Sequence, residues 1–580
     1  MKKMMLVAAL VQATFTYAQP AGQWLKQASF LGAEDIKNIA YIPSNAGAGP
    51  AVWTFAEGNL NSGPGGTVAT EWHFTAYKAT DGSTVFDHQA DGIEINKIVY
   101  DAGHDEVLVL FNFSEHASFA VVGPHTIIPP GLADPDCFYA GVLRFNRGGV
   151  LQGTQWFSFP CRRPRAGVAF WDMDLPRNRV ALCMPVYGDL DADTATFVFG
   201  SGSRLLRSDS AYVGVFEWNL TGTPQQFFMF NQPFDVGERS YVTGLAYGSN
   251  GDIFLLGNLR SPIRIGSFNL SKAAGDSTTT FMARLRADGS IPLAKKIFTS
   301  ATLNSGALAL TYNRSNQHLY FANDWSGQLV VNGTPVHKGT AAYSSNILVA
   351  ETDTTLTIGH FSSVRYGDTA SGMLGPRLFS YNNLYTDNAG NVILGASVKD
   401  SFRIEQKIFR NSTGNTHYKA GIIRFNKDLQ LDTCFISSGT GDEHPTVLAL
   451  GPDNEVYAGG RFSGQATFPP LQTTPQSSFE DAFILKLKLQ KKTTTGIPGL
   501  HTAFTGSVYP NPASDKLHIQ QEHMQRVSVY TADGRLVYDQ LWSNSTAAHT
   551  VDVAGFTRGL YFIRVVLSNG EGLSTGFVKQ

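Results

Sequence analysis

Val242-Thr-Gly-Leu-Ala-Tyr247, Asp252-Ile-Phe-Leu-Leu-Gly-Asn258, Thr280-Phe-Met-Ala-Arg-Leu-Arg286 and Ile291-Pro-Leu-Ala-Lys-Lys-Ile-Phe298 are four short apolar segments that follow one another in the chain. They are separated by runs of turn residues, such as Gly248-Ser-Asn-Gly251 and Ala287-Asp-Gly289. Short apolar segments rich in β-branched and aromatic residues, bounded by Gly, Asn and Asp, are typical of strands joined by tight turns. Residues 242–298 therefore predict one four-stranded antiparallel unit.

The same order of segments occurs six more times in the chain. The position of Asn258 recurs at Asn59, Asn112, Val186, Asn323, Ala396 and Gly460, and successive positions are 53, 74, 72, 65, 73 and 64 residues apart. Repeated small sheets that cannot bury their faces alone predict an all-β, seven-bladed β-propeller. The alternative is a row of β-sandwiches, but each sandwich needs about 100 residues, which is more than one unit supplies.

The two ends of the repeat region predict how the ring is closed. The last unit contains Phe483–Leu489 as its third strand, but no fourth strand precedes Lys491. Near the other end of the chain, Trp24–Phe30 resembles the fourth strand Leu293–Phe298. Pairing of Trp24–Phe30 with Phe483–Leu489 removes two exposed sheet edges, which otherwise promote aggregation. We therefore expect a propeller over residues 21–492 that is closed by its N-terminal strand.

Two sets of segments in the units are also informative: Gly459-Gly-Arg-Phe-Ser-Gly464-Gln-Ala-Thr-Phe468 with Asp481–Lys486, and Phe281–Arg286 with Asp288-Gly289. In these segments the units resemble the bacterial propeller repeats known as SBBP. The resemblance covers residues 24–490. That family implies a propeller but no single ligand or reaction.

The C-terminal stretch contains four motifs in a fixed order: Pro510-Asn511-Pro512, Asp533-Gly534-Arg535, Gly559-Leu-Tyr561 and a terminal Lys579. Over residues 508–580 these motifs resemble the type IX secretion C-terminal sorting domain. The resemblance implies an immunoglobulin-like β-sandwich that the outer-membrane secretion machinery reads and then removes, so that the cargo is released or attached to the cell surface. A sandwich with a purely structural role is the alternative. Residues 493–507 are expected to be a linker.

The first residues are typical of an export signal over residues 1–18. Lys2 and Lys3 precede the apolar run Leu6–Phe15, and Thr16-Tyr-Ala18 provides small residues for cleavage. A buried N-terminal helix is the alternative. No later apolar run is long enough to span a bilayer. We therefore expect export through the periplasm to the medium or the outer cell surface, and no transmembrane segment.

Charge and cysteine content narrow the function further. Lys and Arg number 45 against 47 Asp and Glu, so no basic excess indicates a nucleic-acid partner.

Cys137 and Cys161 flank two strands joined near Gly149, and reflection about Gly149 places them opposite each other as a possible disulfide. Cys183 and Cys434 fall in different repeats, and we expect both to be buried free thiols.

No catalytic, cofactor or metal motif is recognisable, so we predict no catalytic residue, no cofactor and no metal ligand. A segment that starts with Asp189, Asp191 and Asp193 has the first residues of a calcium-binding loop, but it lacks the glycine and the final glutamate of that loop. Asp172 and Asp174 either share one strand face or form a polar loop before Pro176.

Long segments between second and third strands are the more promising place for function: Ser114–Asp136, Gly188–Ser210, Arg260–Thr279 and Lys399–Lys419. We expect them to gather on one face, with Phe138, Tyr139 and Trp325 as candidate ligand-contacting aromatics or as caps of the blade cores. The leading hypothesis is a non-catalytic extracellular protein that binds a glycan or protein, or acts as a scaffold. The alternative is a polysaccharide hydrolase or lyase with its active site in the propeller channel.

Overall fold

The computed structural model describes residues 22–28, 33–45, 47–60, 69–113, 119–129, 137–162, 170–187, 194–207, 210–233, 240–272, 278–300, 308–325, 328–331, 334–338, 346–366, 382–399, 401–405, 407–410, 417–475, 480–489, 502–503, 506–532, 535–568 and 572–580. The chain divides into two compact units, Met1–Gln490 and Lys491–Gln580. Both are nearly all β.

The first unit contains one short 3₁₀ helix, Leu175–Arg177, and the following strands: β1 (Gly22–Ala28), β2 (Ala33–Ile42), β3 (Ala51–Leu60), β4 (Ala69–Lys78), β5 (Thr84–Asp91), β6 (Ile93–Asp101), β7 (Glu106–Phe113), β8 (Ala120–Val122), β9 (His125–Ile127), β10 (Cys137–Phe145), β11 (Leu151–Arg162), β12 (Phe170–Asp174), β13 (Arg179–Tyr187), β14 (Thr194–Phe199), β15 (Gly202–Arg207), β16 (Ser210–Asn219), β17 (Pro224–Pro233), β18 (Tyr241–Tyr247), β19 (Ile253–Leu259), β20 (Ile263–Ile265), β21 (Phe268–Leu270), β22 (Thr278–Leu285), β23 (Leu293–Ser300), β24 (Leu308–Asn313), β25 (His318–Trp325), β26 (Gln328–Val331), β27 (Thr334–Lys338), β28 (Asn346–Thr352), β29 (Ile358–Tyr366), β30 (Leu384–Thr386), β31 (Val392–Lys399), β32 (Ser401–Ile404), β33 (Lys407–Arg410), β34 (Tyr418–Phe425), β35 (Leu431–Ile436), β36 (Ser438–Gly439), β37 (Glu443–Leu450), β38 (Glu455–Phe462), β39 (Ala466–Phe468), β40 (Leu471–Thr473) and β41 (Asp481–Lys488).

These strands repeat one antiparallel arrangement, in which the first strand of a sheet pairs with the second, the second with the third and the third with the fourth. The sheets are β2-β3-β4-β5, β6-β7-β10-β11, β12-β13-β16-β17, β18-β19-β22-β23, β24-β25-β28-β29, β30-β31-β34-β35 and β37-β38-β41-β1. The first strands of successive sheets lie next to one another, and β37 lies next to β2. The unit therefore has a β-propeller-like fold.

The N-terminal strand completes the sheet formed by the last repeat. β1 runs antiparallel to β41, with Trp24 opposite Lys486 and Leu25 opposite Leu485. Trp24 is buried in a core cluster that also contains Ile36 from β2 and Tyr457 from β38. The pairing joins the two ends of the repeat region, as the sequence predicts.

The connections between second and third strands differ from the open loops that we expected. Their described parts are hairpins, and β8-β9, β20-β21, β26-β27 and β32-β33 each pair with the fourth strand of the preceding sheet. Gly266, with φ of +61°, forms the tight turn between β20 and β21. Each of these hairpins covers an outer edge that would otherwise expose unpaired backbone groups.

The second unit contains β42 (Thr502–Ala503), β43 (Ser507–Tyr509), β44 (Lys516–Thr531), β45 (Leu536–Asp552), β46 (Gly559–Leu567) and β47 (Gly572–Lys579). The strand order is β42-β47-β46-β44-β43, and β45 also pairs with β44. The register of β44 shifts between Gln520 and Met524, so its first half pairs with β43 and its second half with β46. Both halves contribute buried side chains to one core. None of the described residues forms a helix long and apolar enough to span a bilayer.

Candidate functional site

The C-terminal motif residues are engaged with the last strand of the second unit. Asn511 Oδ1 accepts a hydrogen bond from Val578 N–H at 2.9 Å, and its Nδ2 donates to the Gly576 carbonyl at 3.3 Å. The two flanking prolines, Pro510 and Pro512, restrict the backbone on either side of this amide. The motif therefore attaches the entry segment to an edge of β47.

The remaining motif residues also have structural contacts. Tyr561 is buried, stacks on Phe577 with ring centroids 5.4 Å apart, and donates its hydroxyl to the Thr557 carbonyl. Lys579 is buried on β47, and its backbone pairs with Gly559. Arg535 N–H donates to Thr531 Oγ1. Asp533 and Gly534 lie outside the described residues.

A cluster of charged side chains lies where the first strands of the propeller-like unit meet. Lys97 on β6 contacts the Asp172 carboxylate on β12, and the Tyr247 N–H from β18 donates to the same carboxylate at 2.8 Å. Burial would lower the pKa of Lys97, but its pairing with Asp172 raises the pKa overall. Burial raises the pKa of the Tyr385 hydroxyl on β30, which also interacts with both charges. Residues from four sheets thus share one polar centre.

Asp174, two residues further along β12, is fully buried and lies between two arginines. Its oxygens are 3.1 Å from Arg177 and 3.1 Å from Arg314, which belongs to the turn after β24. Asp172 and Asp174 therefore lie on a strand rather than in a loop. Both carboxylates are thus engaged in ion pairs.

An ion pair joins the start of the second strand to the end of the third strand in several sheets. The pairs are Glu106–Arg144, Arg179–Glu217, Asp252–Arg284 and Glu455–Lys486. In the sheet of β24 the equivalent pair is His318–Glu351, and His360 contacts the same carboxylate. This pattern was not predicted from the sequence, because the partners are more than thirty residues apart. Its signal is a charged residue at the same place in successive repeats.

Metal binding has no obvious site in the described parts of the chain, where no three His, Cys, Asp or Glu side chains are grouped so that they could hold an ion. The calcium-like segment Asp189–Asp193 lies outside the described residues.

Two clefts open at the end of the unit that carries the turns between first and second strands. The larger, about 740 Å³, has apolar side chains such as Leu108, Val142 and Leu175, with Asp101 and Arg144 among its polar residues. The smaller, about 470 Å³, has a more polar lining: Asp387, Arg424, Asp453, Asn454 and Glu455. The larger cleft combines apolar surface with hydrogen-bonding groups, which is the arrangement expected of a small-ligand site.

Of the candidate aromatics, Tyr139 and Trp325 lie in different core clusters. Trp325 at the end of β25 is only 1% exposed, which agrees with the alternative that it caps a blade core rather than contacts a ligand. It shares a core cluster with Leu329 and Val331, because hairpin β26-β27 of the same connection folds against it. Tyr139 is half-buried, with its ring centroid 6.3 Å from that of Phe113. The side chain of Phe138 lies outside the described residues.

Both side chains of the predicted disulfide, Cys137 and Cys161, also lie outside the described residues. The backbone pairs Cys137 with Arg162, one residue beyond Cys161, because the register shifts between Cys137 and Tyr139. The Cys137–Cys161 bridge therefore stays a prediction. Cys183 and Cys434 are free and buried, and burial raises the pKa of both thiols.

Comparison with known proteins adds one family match. Residues 507–578 match the model of the secretion system C-terminal sorting domain. No curated protein matches the chain.

Several solved structures are similar to the chain. They include a protein of unknown function from Dyadobacter fermentans DSM 18053 (11% identity, 70% of this chain and 95% of that one, TM-score 0.32), the Dos1 propeller (11%, 70% and 91%, 0.25) and Drosophila plexin A in complex with semaphorin 1b (7%, 83% and 89%, 0.36). The family match identifies residues 507–578 as a type IX secretion sorting domain and implies that the chain is a secreted cargo, while the order of its sheets gives it a β-propeller-like fold.

Proposed function

We propose that the mature protein is a non-catalytic binding or scaffold protein of the cell surface or extracellular space. In this proposal the first unit is a seven-bladed propeller over residues 21–492, closed by β1. An export signal at residues 1–18 directs the chain to the periplasm. An immunoglobulin-like sandwich at residues 508–580, after a linker at 493–507, delivers it across the outer membrane.

The state of the acidic residues carries the preference for binding over catalysis. A glycoside hydrolase needs two carboxylates on either side of the scissile bond, one of them free to donate a proton. The charge cluster of the first strands instead holds Asp172 against Lys97, and Asp174 between Arg177 and Arg314. The Asp172–Lys97 pair joins neighbouring sheets and the Asp174–Arg314 pair joins sheets two repeats apart, so both carboxylates are engaged in ion pairs.

The 740 Å³ cleft is the proposed site, and a glycan is the proposed ligand. The partly buried Leu175 and Leu220 and the exposed Pro176 provide apolar surface for the C–H faces of a sugar ring. Asp101 and Arg144 provide charged hydrogen-bonding groups for its hydroxyls. Arg144 is held by Glu106 at 2.6 Å, which reduces the entropy that its side chain loses on binding.

A glycan array with the full-length secreted protein, run beside a polysaccharide degradation screen, tests this proposal. We expect binding without product, and at least a tenfold weaker affinity for Arg144→Ala. Arg526→Ala is the matched control, because Arg526 also forms an exposed ion pair, with Asp539, but in the sorting domain. Release of reducing sugars or unsaturated products would instead support the hydrolase or lyase alternative. Unchanged glycan affinity of Arg144→Ala would remove the cleft from the proposal.

A further inference from the structure

Exposed large apolar side chains are concentrated in the sorting domain. Five of the twelve found among the described residues lie in the unit Lys491–Gln580, which is the smaller of the two. They are Tyr509, Leu536, Leu541, Leu560 and Val578. Apolar side chains that a small domain leaves exposed as a group commonly mark an interaction site.

Three of these side chains belong to one continuous row on the outer face of the sheet. Tyr530 on β44 lies opposite Leu536 on β45 and opposite Phe562 on β46. Leu560 and Phe562 point to the same side, since they are two residues apart on one strand. Leu560 lies opposite Val578 on β47. The apolar row thus consists of Leu536, Tyr530, Phe562, Leu560 and Val578, and crosses four strands.

The opposite face of the same strands packs in the hydrophobic core of the domain. Val529, Tyr561, Ile563 and Phe577 alternate with the row and are buried in the core. In the apolar row, by contrast, Leu536, Leu560 and Val578 are 48%, 47% and 42% exposed. Further along the outer face, Arg526 forms an ion pair with Asp539, and Leu541, which is 65% exposed, lies opposite Arg526. The row is therefore an exposed apolar stripe on a face that continues with both charged and apolar side chains.

Several side chains of the sorting motif are engaged in the fold of the domain. The Asn511 amide is engaged with two backbone groups of β47, Tyr561 is buried, and Lys579 is buried. These side chains build the fold and hold β47, the strand that carries Val578. The apolar row remains exposed and is accessible to a partner that reads this domain.

We propose that the apolar row is the surface by which the sorting domain docks on the type IX secretion machinery, and that the docking surface of the machinery is apolar or aromatic. This inference rests on the sorting role of residues 507–578. Desolvation of several apolar side chains provides the binding free energy. The motif residues act as positioning residues for the row.

The test uses the full chain in a bacterium that carries the type IX system. The double variant Leu560→Lys/Val578→Glu replaces the apolar pair by opposite charges on directly opposed residues, which favours the same strand pairing. The matched control is His518→Glu/Thr550→Lys, the same exchange at a polar opposed pair of β44 and β45. A chain that lacks residues 507–580 tests the sorting role itself. The delivered fraction is measured by immunoblotting of medium, surface and periplasm.

We expect at least a tenfold loss of delivery and periplasmic accumulation for the apolar-pair variant, with normal delivery of the control. Thermal melting of purified protein shows whether the variant folds. If it does not, Leu536→Ser, at the other end of the row, replaces it and is expected to reduce delivery in the same direction. Normal delivery of a folded row variant overturns the docking inference.

Two other outcomes have separate meanings. Normal delivery of the chain without residues 507–580 overturns the sorting role on which the inference rests. If the wild-type chain self-associates, and the row variant is monomeric but normally delivered, then the row binds a second copy of the chain and the docking inference is again overturned.

Discussion

Removal of the Trp24 side chain should weaken the closure of the propeller-like unit. Trp24 is 7% exposed, its ring centroid lies 5.9 Å from that of Tyr457, and its indole N–H donates to the Ala79 carbonyl at 3.0 Å. Truncation of a buried tryptophan to alanine costs about 3–5 kcal/mol. Lys486 Nζ also donates to the Ala79 carbonyl, at 2.9 Å, so this carbonyl keeps a partner in the variant. We therefore expect Trp24→Ala to lower the free energy of unfolding by an amount in the lower half of that range, about 3–4 kcal/mol.

The assay is thermal melting of the purified chain, followed by circular dichroism. With an unfolding entropy of about 2.1 cal/mol/K per residue and roughly 470 residues, 1 kcal/mol corresponds to about 1 °C, so Trp24→Ala should lower Tm by about 3–4 °C. Trp24→Phe keeps most of the apolar contact and should lower Tm by about 1 °C. Trp325→Ala, within one sheet, is the control for loss of a buried indole away from the closure.

Deletion of residues 22–28 distinguishes the effect of losing the closing strand from the effect of losing a single buried side chain. It removes the partner of β41 and exposes the backbone edge over Ala482–Leu487. Because an exposed edge pairs readily with other chains, the deleted protein should form oligomers in size-exclusion chromatography, whereas Trp325→Ala should remain monomeric. A monomeric deletion variant with an unchanged Tm would refute the view that β1 holds the ring closed.

Three further results are expected. In the native protein, the thiols of Cys183 and Cys434 should not react with a thiol reagent, because burial raises their pKa. The denatured, unreduced chain should show two reactive thiols if Cys137 and Cys161 are bridged, and four if they are not. Burial raises the pKa of Glu443 to about 7, although Lys419 lies 2.9 Å away, so the contribution of Glu443 to stability is fully present below about pH 4.5 and is lost as the pH rises through about 7. Chemical denaturation should show that the free energy of unfolding falls by up to about 3 kcal/mol over this range, and that Glu443→Gln flattens this decline. An equally steep decline in the variant would contradict the assignment. Asn511→Ala removes two hydrogen bonds to β47 and should destabilise the sorting domain by about 1–3 kcal/mol, measured by the rate of limited proteolysis, with no effect on the melting of the first unit.

The order of the strands could be read from the chain. Turn residues at Gly248–Gly251 and Ala287–Gly289 separate segments that form β18, β19, β22 and β23. The resemblance between Trp24–Phe30 and Leu293–Phe298 predicted the partner of β41 across more than 450 residues. These features are local, because turn chemistry and apolar alternation act over a few residues. The sorting motifs are equally local, and the family match agrees with them.

The contacts between repeats could not be read in the same way. Lys97 reaches Asp172 of the adjacent repeat, and Arg314 reaches Asp174 two repeats away, because the first strands of successive sheets lie next to one another. The burial of Trp325 depends on a hairpin whose pairing with the preceding sheet has no signature in its own residues.

The sequence by itself determined the strands, their repetition, the partner of the N-terminal strand and the export tail, since each depends on short patterns of turns and apolar residues. Only the tertiary structure decided which charges neutralise one another, which aromatics are buried and which face of the sorting domain remains apolar. Those properties depend on side chains that are brought together across sheets, where the free energy of burial and of ion pairing depends on the neighbours rather than on position in the chain.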